Sequence, residues 1–396
     1  MNRQIVIVGE FRFPEGDASA IRILNIAKAL RDTGDHVHII GTGVPGMQDK
    51  TDGTYRHQGF SYETINTEST SKFKKVMNLL TRSLTAAARI KRLYQHKKID
   101  VVMIAVGYGR FVGPVLHLSR KLGFKVVIDV VEWYDPDHLP FGKWGPFNWD
   151  VQLGLRFLFK KARNIIAIST FLEKYYLDAD CNVVRIPPMV DLEEKEWCCL
   201  DASVKAGKHR KIIYAGNPGA KDLLLELIKS LYSLKINGLY LDMDIYGVDI
   251  SWLKAMFGVE AHILDELEEQ IKAYGRVSHS EVIQAVKNSM FSVLVRPDKR
   301  YANAGFPTKV VESLAAGTPV ILNYTSDLSL YIQDGIEGLI IKECSSSEIT
   351  TTLERAINLP EHQLNEMRKS ARMKAEACFD YRVYIPILDE FLNSLL

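Results

Sequence analysis

The 396 residues, 47% hydrophobic and 25% charged, suffice for two or three domains with proper cores and have the balance of a soluble globular protein. No run of about eighteen apolar residues occurs, which excludes a membrane-spanning helix. The net charge is only +2 but is divided unevenly: residues 1–195 carry 28 Lys and Arg against 21 Asp and Glu, a net +7, and residues 196–396 carry 22 against 27, a net −5, so the first half suits an acidic surface better than the second.

Gln4–Gly9 is a β-branched apolar run and reads as a buried first strand. A polar loop through Gly16 and Asp17 leads to a helix from about Ala18 to Asp32, with Ile21, Leu24, Ile26, Ala27 and Leu30 spaced for burial. Gly34 ends it, and His36–Ile40 is the second strand of a βαβ opening. Gly41-Thr-Gly43-Val-Pro-Gly46 matches a dinucleotide fingerprint but follows the second strand and opens no helix, so it reads as a turn. Between Lys72 and Lys98 there are nine Lys or Arg and no acidic residue, while Phe73, Val76, Met77, Leu80, Leu84, Ala87 and Tyr94 recur at helical spacing. Such a basic amphipathic helix packs its stripe on a sheet, lies on an anionic membrane, or does both.

Val101–Ala105, Lys125–Val130, Asn164–Ile168 and Val183–Ile186 read as further buried strands. After the second of these comes Asp129-Val-Val-Glu132-Trp133-Tyr-Asp135-Pro-Asp137-His138, extended by Trp144, Phe147 and Trp149. Carboxylates accept hydroxyl protons and rings cover apolar sugar faces, so Glu132, Trp133, Asp135 and His138 are acceptor-side candidates; a surface lid packed by its own rings is the alternative. Ile186-Pro-Pro-Met-Val-Asp191 closes the first domain, and a charged linker runs to Arg210. The five cysteines, Cys181, Cys198, Cys199, Cys344 and Cys378, show no metal-ligand spacing. Their odd number and the lack of a secretion signal point to a reducing cytosol.

Lys211–Ala215 and Leu241–Gly247 open a second strand series, and Glu281–Asn288 reads as a helix. Phe291–Val295 is the next buried strand, followed by a loop over Pro297–Phe306 and a helix from Pro307, at its first position, to about Ala316. Gly317 supplies the left-handed residue after the helix, Pro319 prevents continuation, and Val320–Leu322 is a strand. A strand–loop–helix–strand unit leaves backbone N–H groups facing outward at the carboxyl end of a parallel sheet, a seat for phosphate. Gly305 allows close approach of a ligand. Thr308, Lys309 and Glu312 share the face opposite Val310, Val311, Leu314 and Ala315. On pattern alone, an ordinary crossover with a solvated Lys309–Glu312 pair fits equally well. Ser345–Asn358, Glu361–Ala377 and Asp380–Leu396 read as helices, the last with Tyr384, Leu388, Phe391 and Leu395 on one face.

Glu312-Ser-Leu-Ala-Ala-Gly317-Thr-Pro319-Val320 resembles the second half of the donor-binding motif of family 4 glycosyltransferases, which runs Glu, seven residues, Glu, small residues, Gly-x-Pro-Val. Ala304 stands where the motif has its first glutamate, with Asn303 beside it as the candidate substitute. Gly216-Asn217-Pro218-Gly219-Ala-Lys221 resembles the family's diphosphate-binding segment; Lys221 matches its lysine and Asn217 replaces its arginine. Tyr274-Gly275-Arg276-Val277-Ser278-His279 resembles the loop that meets the nucleobase, and Gly16 the amino-terminal glycine loop.

The resemblance implies an α/β chain of the GT-B fold, two Rossmann-like domains facing across a cleft. It assigns 1–195 to an acceptor domain, with a C-terminal helix, about 380–396, crossing back to it, and 205–378 to a donor domain. It implies retaining transfer of a sugar from a nucleotide-diphosphate donor to a glycan or lipid-linked glycan, in surface polysaccharide or glycolipid assembly, with no nucleic acid as partner. Lys221 with Arg296 or Arg300 would neutralise the leaving phosphates, so neither metal nor cofactor is expected beyond the nucleotide sugar. Glu312 would hold the ribose, and Gly216, Asn217, Arg276, Val277, Asn303, Ala304, Gly305, Phe306 and Thr308 would line the donor site. The expected place is cytoplasmic, with 72–98 able to meet an anionic membrane from its inner face. Because two family charges are missing, a non-catalytic binding scaffold is the rival reading, and a nucleotide-sugar epimerase a second.

Overall fold

The structure, a computed structural model, describes residues 2–14, 17–43, 54–65, 72–105, 108–139, 141–198, 210–219 and 221–396, with the backbone alone for 72–80. They form two compact units: Met1–Met189 with Tyr381–Leu396, and Val190–Asp380. Gly16 lies outside the described residues.

The first unit is built on β1 (Gln4–Gly9), α1 (Ala18–Asp32), β2 (His36–Gly41), β3 (Tyr55–His57), β4 (Phe60–Thr64), α2 (Lys72–His96), β5 (Val101–Ala105), α3 (Gly109–Leu122), β6 (Lys125–Val130), α4 (Pro146–Leu153), α5 (Phe159–Ala162), β7 (Asn164–Ala167), α6 (Thr170–Leu177) and β8 (Asn182–Arg185). The sheet order is β3-β4-β2-β1-β5-β6-β7-β8, and every pairing is parallel except β3 with β4. Strands covered on both faces read as unbroken apolar runs, which is why β1, β5 and β6 were legible. Asp17 accepts the Ala20 N–H and starts α1.

β3 and β4 were not expected. Their signal is the two-residue turn Gln58-Gly59, both at positive φ, between strands too short for a clear alternation. The stripe expected on α2 is also rotated. In its described part Ser83, Ala86 and Ile90 are buried and Leu84 is 61% exposed. Small residues let a helix approach its neighbours closely, so Ser and Ala take the inward face that size alone would give to Leu. Arg89 and Arg92 bind the buried Glu63 at 3.1 and 2.7 Å, so part of the basic character of α2 is neutralised inside the unit. Phe73, Val76, Met77 and Leu80 have side chains outside the described set.

Residues Tyr381–Leu396 join this unit, ending in a helix at Ile385–Asn393. Leu388 and Leu392 are fully buried against α1, and Arg3, itself buried, bridges Asp35 and Asp389 at 2.6 Å each. Fully burying one such leucine contributes about 1.5–3 kcal/mol, enough for a short helix to be held by packing rather than by propensity.

The second unit contains β9 (Arg210–Ala215), α7 (Leu224–Ile236), β10 (Leu241–Tyr246), α8 (Ile250–Phe257), α9 (His262–Glu266), β11 (Ile271–Ala273), α10 (His279–Lys287), β12 (Phe291–Leu294), α11 (Arg300–Ala304), α12 (Thr308–Ala315), β13 (Val320–Leu322), β14 (Gly338–Ile340), α13 (Ser346–Asn358) and α14 (Glu361–Cys378). Its sheet, β11-β10-β9-β12-β13-β14, is parallel throughout, with the chain leaving β9 in one direction and returning to β12 on the other side. That reversal beside β9 is the switch point at which α/β sheets bind ligands. β11 and β14, three residues each, were not expected from the sequence.

Candidate donor site and acceptor edge

α12 ends as expected. Gly317 has φ +66°, and the N–H groups of Gly317 and Thr318 return to the carbonyls of Leu314 and Ser313, the paired bonds of a Schellman end. Its start differs from expectation: Pro307 is the extended residue before the helix, φ −76° and ψ 105°, not its first turn, and no side chain caps it. The preceding segment is not all loop either, since Arg300–Ala304 forms α11.

The centre of the site is Asp222, two residues before α7. Its carboxylate is 2% exposed and accepts from Arg296 Nε at 2.8 Å and Lys309 Nζ at 2.9 Å. The Tyr214 hydroxyl donates to it at 2.5 Å. Burial alone would raise this carboxyl, but Lys309, Arg296 and Tyr214 outweigh burial and hold it below the usual range. Lys309 also donates to the Tyr214 hydroxyl at 3.1 Å and lies 4.2 Å from the centre of its ring. Burial pulls the Lys309 ammonium below its ordinary value despite Asp222. Lys221 is lowered as well, by burial and then by Arg296. Two cations, Arg296 and Lys309, therefore share one buried carboxylate beside the uncapped start of α12, and Lys221 lies close enough to feel the charges of both Arg296 and Asp222.

The solvated Lys309–Glu312 pair is thus replaced by a Lys309–Asp222 pair. Lys309 was not counted among the phosphate-facing cations, and the one available signal was its place in the first turn after Pro307. Gly216, at φ +131°, is needed here: a Cβ on it would stand 3.0 Å from Lys309 Nζ. The backbone of Arg296 is clamped by Asn323, which accepts from its N–H at 2.9 Å and donates to its carbonyl at 2.8 Å. Arg300 stands exposed at the start of α11.

Glu312, one turn into α12 and 24% exposed, faces His279 Nε2 at 3.4 Å. Sequence reading singled out neither His279 as its partner nor Glu196, 4.0 Å from the other ring nitrogen. The hydrogen bond to Glu312 raises the His279 imidazole, outweighing burial, and the charges of Glu312 and Glu196 add to it. His279 opens α10 after its cap, Ser278, which forms a capping box with Glu281; Arg276 and Val277 just before are exposed and half-buried.

Several donor candidates are structural. Asn303 Nδ2 donates to Asp298 at 2.6 Å and its Oδ1 accepts the Ser326 N–H at 2.8 Å, so its amide is held in place by one bond at each end. Ala304 is fully buried. The Phe306 ring packs edge-on to Tyr331 and Phe379, leaving its backbone, with that of Gly305 and the half-buried Thr308, to meet a ligand. Asn217 accepts the Gly219 N–H at 3.1 Å and shapes the turn before Lys221. Asp244, inside β10 and not one of these candidates, is paired with Lys211 at 2.8 Å.

At the carboxyl edge of the first sheet the expectations fare differently. Trp133 is 6% exposed and packs at right angles on Tyr175, 4.9 Å away, and on Phe171, so its ring is not open to a sugar face. Glu132 and His138 are half-buried, and Asp135 accepts the Asp137 N–H at 3.0 Å. Trp144 and Trp149 are 80% and 63% exposed, so the segment is not a lid packed by its own rings. A cluster missed in the sequence lies here: Glu10, directly after β1, is 3.9 Å from Arg110, which is 3.4 Å from Asp150. Burial raises both carboxyls against the pull of Arg110.

Two sheets flanked by helices, with a cationic cluster at a helix start beside one switch point, define the GT-B class of glycosyltransferases. Residues 19–194 match the family model described as Glycosyltransferase Family 4, and residues 201–374 the one described as Glycosyl transferases group 1. The chain belongs to the family 4 glycosyltransferases. Its fold is similar to that of sucrose-phosphate synthase from Thermosynechococcus elongatus, at 14% identity and TM-score 0.75 over 100% of this chain and 99% of that one. It is similar to Anabaena HepE in complex with UDP and glucose, at 15% and 0.68 over 99% and 100%. It is similar also to the lipopolysaccharide outer core galactosyltransferase WaaB, at 15% and 0.65 over 99% and 100%. No curated protein matches the chain in sequence. Among the described residues, no helix is long and apolar enough to cross a membrane, and no group of three or more His, Cys, Asp or Glu is placed to hold a metal ion.

Proposed function

We propose that this glycosyltransferase moves a sugar from a nucleotide-diphosphate donor to an acceptor hydroxyl with retention of the anomeric configuration, in surface polysaccharide or glycolipid assembly. The observation that carries the reading is that Arg296 and Lys309 share the one carboxylate of Asp222, next in sequence to Lys221, at the start of α12. A departing diphosphate develops negative charge, and prepositioned cations with free helix N–H groups stabilise it as the sugar–phosphate bond breaks. These side chains can do so without a metal. Glu312 accepts from ribose hydroxyls, held by His279. In a front-face reaction the donor phosphate takes the acceptor proton, so no separate base is required. The likeness to HepE, whose structure holds UDP and glucose, makes UDP-sugars the first donors to try. The basic segment 72–98 would meet anionic lipid and bring a lipid-linked acceptor within reach.

The test is a panel of UDP-, GDP-, ADP- and dTDP-sugars with chelator present, read as released nucleoside diphosphate, with product configuration by NMR. Release with retention supports the reading. Inversion, or activity only with added metal, overturns those parts of it. Epimer formation without release favours an epimerase, and binding without turnover the scaffold.

A further inference from the structure

β1 is the switch point of the first sheet: the chain leaves it for β2 on one side and later places β5 on the other. Ligands of α/β sheets bind outside the carboxyl ends of the strands at such a point. Glu10 follows β1 directly, and Arg110 lies in the first turn of α3, the helix after β5. Asp150 reaches the same place from α4 and accepts the Arg110 N–H at 2.6 Å. It thereby caps a helix whose own cap residue, Tyr108, makes no side-chain bond. A Cβ on Gly109 would stand 2.7 Å from the Asp150 carbonyl, so glycine is needed for α4 to come this close. The Arg110 guanidinium lies over the Tyr108 and Phe147 rings at 5.3 and 5.6 Å, which restrain it.

Three elements thus deliver three charged groups to one point, yet their pairing is incomplete. Glu10 Oε1 is 3.9 Å from Arg110 Nη2, and Asp150 Oδ2 is 3.4 Å from Arg110 Nε. Glu10 Oε1, Arg110 Nη2 and Asp150 Oδ2 are all buried and make no hydrogen bond. The Glu10 side chain is only 9% exposed. A buried polar atom left unpaired is costly and calls for an explanation. Loose pairing is not general at this edge of the sheet, since Arg22 and Asp129 of the neighbouring β6 form a fully bonded pair.

The three atoms differ in kind: two are acceptors and one is a donor. A hydroxyl group donates to a carboxylate and accepts from a guanidinium at once. A phosphate offers acceptors alone and would set its oxygens against both carboxylates; an ammonium offers donors alone and would leave Arg110 Nη2 unanswered. We infer that Glu10, Arg110 and Asp150 form a binding site for neighbouring hydroxyls of a neutral sugar or cyclitol ring, the acceptor of the transfer. Polar contacts of this length shorten when a ligand bridges them. Tyr108 and Tyr134, both within reach of the Glu10 charge, line a small cavity beside the cluster together with Glu132, one of the residues expected on the acceptor side. The word acceptor rests on the function proposed above; the site for a polyol does not.

The test is saturation-transfer NMR on the full chain. Methyl glucoside, methyl galactoside, methyl mannoside and myo-inositol are the neutral probes, and glucosamine and glucose 6-phosphate the charged ones. At least one neutral probe should bind the parent, in preference to both charged ones. Glu10→Gln keeps the shape and removes the charge, and should weaken that binding by about tenfold or more in a folded chain, the worth of a charge-assisted bond. Asp150→Asn should show the same loss and replaces Glu10→Gln if that variant does not fold. A role confined to holding α3 and α4 together would lower the unfolding temperature of both variants and leave probe binding as in the parent, and that result overturns the inference. So does a parent that binds no neutral probe, or one that prefers glucosamine or glucose 6-phosphate. The nucleotide-sugar panel separates the two readings. Diphosphate release by a parent that binds no probe strikes out the polyol site alone, and probe binding that depends on Glu10 without any release strikes out the transfer alone.

Discussion

Each unit contains a buried arginine–aspartate pair, and the two are built differently. In the first, Arg22 and Asp129 are both almost fully buried, 2.8 Å apart, and the remaining arginine donors go to the carbonyls of Ile186 and Pro187 at 3.0 and 2.9 Å. Every charge has its partner within the protein. In the second, a single carboxylate, Asp222, answers to two cations, Arg296 and Lys309, together. The first arrangement ties α1 to the end of β6; the second, on the function proposed above, holds cations for a leaving diphosphate. A buried ion pair by itself is weak evidence of function. The informative quantity is the imbalance.

The sharpest way to break this comparison is to remove Arg22. Arg22→Ala leaves Asp129 buried without its partner and should cost about 3–5 kcal/mol in denaturant unfolding. A cost below about 1 kcal/mol would mean that the pair is not closed after all. Arg296→Ala should behave in the opposite way, because Lys309 and Tyr214 still hold Asp222. Folding should survive, while kcat falls by the equivalent of about 2.7–4 kcal/mol and nucleoside affinity changes little. Arg300→Ala should fall less, and Lys299→Ala, an exposed charge in the same segment, should match the parent. Parental turnover in Arg296→Ala would remove this residue from the leaving-group site.

Glu312→Ala comes next. Calorimetry should show nucleotide-diphosphate binding weakened by about 1.5–3 kcal/mol in a folded protein, the worth of a charge-assisted bond. The smallest effect is in the pH dependence of stability. His279 is raised, so its contribution is complete at acid pH and disappears as pH climbs through its folded value, above the ordinary 6.5. Asp222 is lowered, so its contribution is present at neutral pH and is lost only as pH drops through its depressed value. Unfolding of His279→Gln should flatten the limb above neutrality and leave the acid limb unchanged; an unchanged upper limb would show that His279 is not coupled to Glu312.

Much of the site was legible because it is local. Gly317 and Pro319 end α12 through backbone geometry within a few residues, and Glu312 sits one turn in by counting. The partners of its charges were not legible. Lys309 and Glu312 are three apart and looked like a pair, but Lys309 is taken by Asp222, 87 positions away, and Arg296 reaches the same carboxylate across 74. The partners of Asn303 were hidden in the same way: Asp298 and Ser326 orient its amide, the second of them 23 positions away.

The sequence by itself determined the alternation of strands and helices and the positions where helices stop. Apolar runs, a capping aspartate at Asp17 and a left-handed glycine at Gly317 act through their immediate neighbours. It also determined the family, through motifs whose spacing is fixed by the backbone of one loop. Only the tertiary structure decided which side chains are exposed and which are committed. Trp133 and Trp144 lie eleven residues apart in one aromatic stretch; one is buried under Tyr175 and the other stands open. Nothing in their local sequence distinguishes them, because burial is set by what packs on top. In the same way Asp222, an unremarked acid after a matched lysine, became the centre of the candidate donor site only when β9, β12 and α12 brought Tyr214, Arg296 and Lys309 to it.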